Sequence, residues 1–120
     1  MHIETIFKRS HAKMPFQIKK IAGAILKAMD SVKNGTSKDA ENIASQVYQN
    51  LLERQKSIPN YIPNVEEIQD LVEQTLMKSE FLDVAKAYIL YRDIQAKKRQ
   101  RNIFARRMTL KPFEYPELLI

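Results

Sequence analysis

At Gln17 the hydrophobic period of this chain changes from two residues to about 3.6, which points to a small sheet joined to a set of helices. Before that point, "IETIFKRS" and "AKMPFQI" read as two short strands around a turn. Ile3, Thr5 and Phe7 alternate with more polar neighbours, and Ile6 supplies the opposite face. Pro15 makes the second strand short or places it at an edge. After it, Ile18, Ile21, Ala22, Ile25, Met29 and Val32 form one helical stripe, widened by Leu26. Gly35 in "NGTS" is expected to be the left-handed residue that ends this helix, and Thr36 with Asp39 a capping box that starts the next.

The second helix has a single apolar face made by Ala40, Ile43, Ala44, Val47, Tyr48, Leu51 and Leu52. Pro59 and Pro63 then forbid a helix, and Tyr61 to Val65 is predicted as a third short strand. Asn64 followed by Glu66 and Glu67 is a strong helix start, because both carboxylates sit near the positive end of the dipole. Val65, Ile68, Leu71, Val72, Thr75 and Leu76 point inward on this third helix, and a fourth follows "KSEFLD" and runs to about Gln100. The expected fold is therefore α+β, a four-helix bundle capped by a small three-stranded β-sheet lid. A domain over residues 1–100 is expected, with 101–120 a basic linker leading into something else.

Composition narrows the function. The chain has 120 residues and no cysteine, which excludes disulfides and cysteine-based zinc sites. No apolar run approaches the ~20 residues of a membrane span, and "MHIETIFKRS" lacks a signal-peptide core, so a cytoplasmic home is expected and no membrane partner. The net charge of +6 favours anionic partners, but much of it lies in "KKRQRNIFARR", Lys97 to Arg107, which holds no acidic residue. The two histidines, His2 and His11, stand far from any relay of serine and carboxylate. Metal-binding motifs are missing, and two glycines cannot make a phosphate-cradling loop. No catalysis is expected of this chain.

Its cations are more informative. Lys8 and Arg9 adjoin the hairpin turn, and Lys13 lies beyond it. Lys19 and Lys20 open the first helix, where cations oppose the dipole but suit a site that receives an anion; Gln17 adds an amide just before it. In "VAKAYILYR", Lys86 lies one turn from Leu82 and from Leu90, on a stripe that otherwise asks for burial. It pairs with Asp83 one turn earlier, or reaches out past the core to water, or joins Lys8, Arg9 and Lys20 around a polyphosphate. The basic segment 97–107 suggests an alternative, a small nucleic-acid-binding regulator, although no recognition helix or stacking platform accompanies it and nucleic acid is disfavoured. A blander alternative is a helical adaptor with surface lysines.

"FKRSHAKMPFQIKKIAGAILKAM", "NVEEIQDLVEQTLM" and "VAKAYILYR", in that order, resemble the ATP-cone, the regulatory nucleotide-binding domain of ribonucleotide reductases, over about residues 3 to 97. The resemblance implies ATP or dATP bound between lid and helices, with Mg²⁺ held by the nucleotide phosphates rather than by side chains. It implies that dATP drives an inactive homo-oligomeric assembly through the cones, and that the reductase large subunit is a partner in the full-length protein. Lys8, Arg9, Gln17, Lys20, Ile21, Val65, Gln69, Lys86 and Arg92 match nucleotide-binding positions. Ser10-His11 departs from the usual Asp-Gly turn, and Met14 from a glutamate. The missing cysteines disfavour the related zinc-ribbon repressor. The tail "LKPFEYPELLI" resembles the lead-in to the small, radical-generating subunit, so a cone fused to that subunit and cut before its metal helices is expected.

Overall fold

Two three-residue strands, Thr5–Phe7 (β1) and Lys13–Pro15 (β2), pair antiparallel with Ile6 opposite Met14. The structure is a computed structural model and describes residues 3–108, with side chains as far as Asn102. The turn between the strands closes through the Lys8 N–H donating to the Ala12 carbonyl at 2.8 Å and the His11 N–H donating to the Lys8 carbonyl at 2.9 Å. His11 takes a left-handed conformation there, with φ 69°.

The third strand expected over Tyr61 to Val65 is reduced to one parallel bridge between Phe7 and Asn64, with the Phe7 N–H donating to the Pro63 carbonyl at 2.9 Å. Two local facts stop the ladder there. Pro63 has no N–H to offer, and Asn64 is already the cap of the following helix, accepting the Glu67 N–H at 2.8 Å. The lid is thus a hairpin plus a bridge.

Four helices follow: Ile18–Val32 (α1), Ser37–Ser57 (α2), Val65–Lys78 (α3) and Leu82–Met108 (α4). The predicted capping box of α2 is present, with the Asp39 N–H donating to Thr36 Oγ1 and the Thr36 N–H donating to Asp39 Oδ2. The end of α1 differs from expectation. Lys33 is its left-handed cap residue, at φ 53°, and its N–H returns to the carbonyls of Met29 and Asp30. Gly35 also has positive φ, 106°, but its stricter requirement is space: a Cβ there would stand 2.4 Å from Met29 Sδ.

The chain divides into two bodies, Met1–Tyr88 and Ile89–Ile120. In the first, α2 packs against both α1 and α3. Ile25 and Met29 of α1, Ile43, Val47 and Leu51 of α2, and Val72 and Leu76 of α3 are almost fully buried. Each such side chain contributes about 1.5–3 kcal/mol by leaving water. The start of α4 adds Val84, Ala85 and Tyr88 to this core. Ile18, expected on the buried stripe of α1, is at the exposed end of it.

In the second body, α4 continues to Met108 rather than ending near Gln100. Nothing stops it: "KKRQRNIFARR" has neither proline nor glycine and is rich in helix formers. Lys97 Nζ pairs with Asp93 at 3.0 Å, one turn away. The segment "LKPFEYPELLI" lies outside the described residues. Among those described, no helix is long and apolar enough to cross a membrane.

Candidate functional site

Where the hairpin faces α1 and α3, a cleft of about 250 Å³ opens. The register explains its lid-side wall. Ile6 and Met14 are cross-strand partners and so share a face, and Phe16, two residues beyond Met14, falls on that same face. Phe16 is itself steadied by stacking on Tyr48, with ring centroids 5.5 Å apart. Ile21 and Ala24 of α1 and Val65 and Ile68 of α3 form the facing walls, and Tyr88 of α4 closes one side. Into this apolar space the sequence sets three polar side chains, Gln17 and Lys20 at the start of α1 and Gln69 on α3.

A second depression, about 470 Å³, lies at the turn end of the hairpin against the start of α3, lined by Phe7, Lys8, Arg9, His11, Asn64, Val65 and Glu66. Val65 lines both, so the apolar cleft and the basic groove meet at the first residue of α3. Arg9 crosses from the hairpin to that helix. Its Nε donates to Glu66 Oε1 at 2.7 Å and its Nη2 to Gln69 Oε1 at 3.0 Å. Glu66 and Gln69 are one turn apart on α3, which lets a planar guanidinium reach both.

Of the residues singled out from sequence, Gln17, Lys20, Ile21, Val65 and Gln69 line the cleft, and Lys8 and Arg9 line the groove. Lys86 is exposed and lines neither. The stripe it shares with Leu82 and Leu90 faces solvent, those leucines being 59% and 60% exposed, whereas Val84 and Tyr88 carry the buried side. Tyr88 stands two residues from Lys86, and helical residues so spaced do not face the same way. Lys86 does not pair with Asp83 either, whose carboxylate accepts two hydrogen bonds from Asn34 Nδ2 at 2.9 and 3.2 Å. Arg92 belongs to the second body.

Sequence reasoning missed Phe16, Tyr88 and Glu66. The alternation Met14–Phe16 carried the signal for the first, and the i, i+4 pair Val84–Tyr88 for the second; nothing local marked Glu66 as the partner of Arg9.

Behind the groove, Glu67 ties three elements together. It accepts a hydrogen bond from Arg54 Nη1 at the end of α2 and another, 2.5 Å long, from the Tyr61 hydroxyl. Burial first, and then the hydrogen bond to the Glu67 carboxylate, push the Tyr61 hydroxyl up to about 12. Among the described residues no cluster of three His, Asp or Glu side chains is placed to hold a metal.

Comparison with known proteins agrees with this architecture. The family model described as the ATP cone domain matches residues 4–97. A vitamin B12-dependent ribonucleoside-diphosphate reductase of Thermoplasma acidophilum is 49% identical over 96 residues, covering 76% of this chain and 12% of that protein. The ribonucleoside-diphosphate reductase subunit alpha of Treponema pallidum is 37% identical over 99 residues, 78% of this chain and 11% of its own length. That of Chlamydia pneumoniae is 58% identical over 36 residues, 30% of this chain and 3% of its own. The chain thus spans about an eighth or less of the relatives it matches. These relatives correct one expectation: they are alpha subunits and a vitamin B12-dependent enzyme, so fusion to a small, radical-generating subunit is not upheld. The tail that suggested it lies beyond the matched residues 4–97. On the family match and these relatives together, the chain belongs to the ATP-cone family, a regulatory domain of ribonucleotide reductases.

Proposed function

We propose that this chain is an allosteric module that binds ATP or dATP and controls a ribonucleotide reductase, without catalysis of its own. One observation carries the reading: an apolar cleft with three polar side chains meets a groove lined by Lys8 and Arg9 at one residue, Val65. A nucleotide has the same division, a flat apolar base joined to a multiply charged phosphate chain. The two depressions together fall within the roughly 300–1,000 Å³ of small-molecule sites. Ile21, Val65 and Tyr88 would bury the base and sugar, with Gln17 and Gln69 reading their polar edges. Lys8, Arg9 and Lys20 would neutralise phosphate. Mg²⁺ would arrive on the phosphates, where it offsets their charge. Lys86 and Arg92 are retained as nucleotide-binding candidates by the family resemblance alone.

In this reading dATP, the signal of sufficient product, drives cones of neighbouring copies together into an inactive assembly, whereas ATP leaves the reductase active. The reductase large subunit and substrate chemistry belong to the longer protein. Calorimetric titration of the chain with ATP and dATP, alongside Lys8→Ala, Arg9→Ala and Lys20→Ala, tests the site. Each variant is expected to bind at least threefold more weakly, about 0.7 kcal/mol; identical isotherms for all four proteins would remove the site. A dATP-specific rise in mass on a sizing column tests the assembly, and a single monomeric peak with both nucleotides would refute it.

A further inference from the structure

His11 occupies the one turn position of the hairpin with positive φ, 69°, where glycine fits without the strain that a side chain brings. Strained backbone of this kind concentrates at binding and catalytic sites. This residue also lines the basic groove with Lys8 and Arg9. A glycine would satisfy the turn better but would leave that part of the groove without a side chain. We propose that His11 is a phosphate-binding residue of this chain, and that its imidazole adds a proton-dependent charge to the Lys8–Arg9 groove. The inference rests on the nucleotide reading of that groove.

The charges around it set the direction of the effect. Lys8 and Arg9 stand on its own hairpin, Lys13 follows on β2, and Glu66 faces the groove from α3 with its carboxylate engaged by Arg9. A bound triphosphate would favour a second proton on the imidazole. Nucleotide binding and proton uptake then reinforce each other, so affinity rises as pH falls through the imidazole range, between about pH 5 and 8. A neutral imidazole still offers one N–H donor, which makes the contribution smaller at high pH but not zero.

The test titrates the full chain and its His11→Gly and His11→Asn variants with Mg²⁺-ATP and, separately, with inorganic tripolyphosphate, at about pH 6 and about pH 8. Comparing variants at one pH cancels the ligand's own protonation. Both variants are expected to bind either ligand about three- to fivefold more weakly than the parent near pH 6, the range of an exposed charge pair, and to approach it near pH 8. The melting temperature of His11→Gly is expected to equal or exceed the parent's, since the strain is relieved. Binding by the parent with no loss in either variant overturns the role of His11 and leaves the nucleotide site standing. A loss of affinity that tracks a fall in melting temperature overturns it too, by making His11 a turn residue only. No binding by the parent removes both the inference and the reading beneath it.

Discussion

Replacing Glu66 with glutamine should strengthen nucleotide binding while weakening the fold. In the structure the Arg9 guanidinium donates to Glu66 Oε1 at 2.7 Å and to Gln69 Oε1 at 3.0 Å. A phosphate entering the groove must compete with that carboxylate or lie beside it. The side chains of Arg9 and Glu66 are 35% and 52% exposed, so solvent screens their attraction and the pair is worth only about 0.2–1 kcal/mol. Removing the negative charge also removes its repulsion of the incoming phosphate, an effect of similar size. Together these predict an affinity gain of about two- to thirtyfold. The cost appears in stability. Glu66 is in the first turn of α3, where a negative charge offsets the helix dipole by about 0.3–1 kcal/mol, and the ion pair is lost as well. For a domain of this size the sum lowers the melting temperature by a few degrees. Calorimetry and thermal melts on the parent, Glu66→Gln, Arg9→Ala and the double variant decide it. If Glu66 acts by holding Arg9, its effect on affinity shrinks in the Arg9→Ala background. Weaker binding by Glu66→Gln alone would refute the reasoning and make the carboxylate a nucleotide contact.

Two further perturbations follow from the scaffold. Gly35→Ala should destabilise by about 2–4 kcal/mol in urea titration, since it combines a φ of 106° with a Cβ 2.4 Å from the sulfur of fully buried Met29; a loss below about 0.5 kcal/mol would show that Met29 can move aside. Tyr61 is raised to about 12 in the folded protein against 10.0 when unperturbed, so its contribution is complete below about pH 10 and disappears as pH rises through about 12. A tyrosinate absorbance titration should therefore show a late-ionising component that is missing in Tyr61→Phe, and the same titration curve in both proteins, apart from one fewer ordinary tyrosine, would refute the assignment.

The starts of α2 and α3 were easy to read in this sequence because both carry their own boundary chemistry. Thr36 with Asp39 and Asn64 with Glu67 are local pairs three residues apart, and both form the hydrogen bonds their spacing predicts. Local pattern failed where two solutions were locally equivalent. Leu82, Lys86 and Leu90 make a stripe as regular as Val84 and Tyr88, and only packing on the other helices decides that the second faces inward. The third strand was lost for a related reason: Asn64 could serve a ladder or a helix cap, and the cap won. Within the candidate site, Lys8 and Lys20 could be read from charge alone. The Arg9–Glu66 contact could not, because it joins residues 57 positions apart through a hairpin docked on a helix.

That docking also explains how a site here could act at a distance. A two-stranded hairpin of three-residue strands is not stable in isolation. Among the described residues, the links that hold it against the helices include the Phe7 N–H to Pro63, the Ile3 N–H to the Tyr48 hydroxyl at 3.2 Å, the bonds of Arg9 to α3, and the apolar contact of Ile6, Met14 and Phe16. The cleft lies among these links, with the hairpin as one wall and α1 and α3 as the others. On the proposed reading, a nucleotide that filled it would add contacts to both sides and draw on Arg9, coupling its binding energy to where the hairpin sits. Two ligands differing by a single hydroxyl can then favour different hairpin positions, provided their contacts with Gln17, Gln69 or Tyr88 differ. The low intrinsic stability of the hairpin allows a difference of ~1 kcal/mol at the sugar to shift that equilibrium about fivefold, whereas a rigidly built lid would absorb it unchanged.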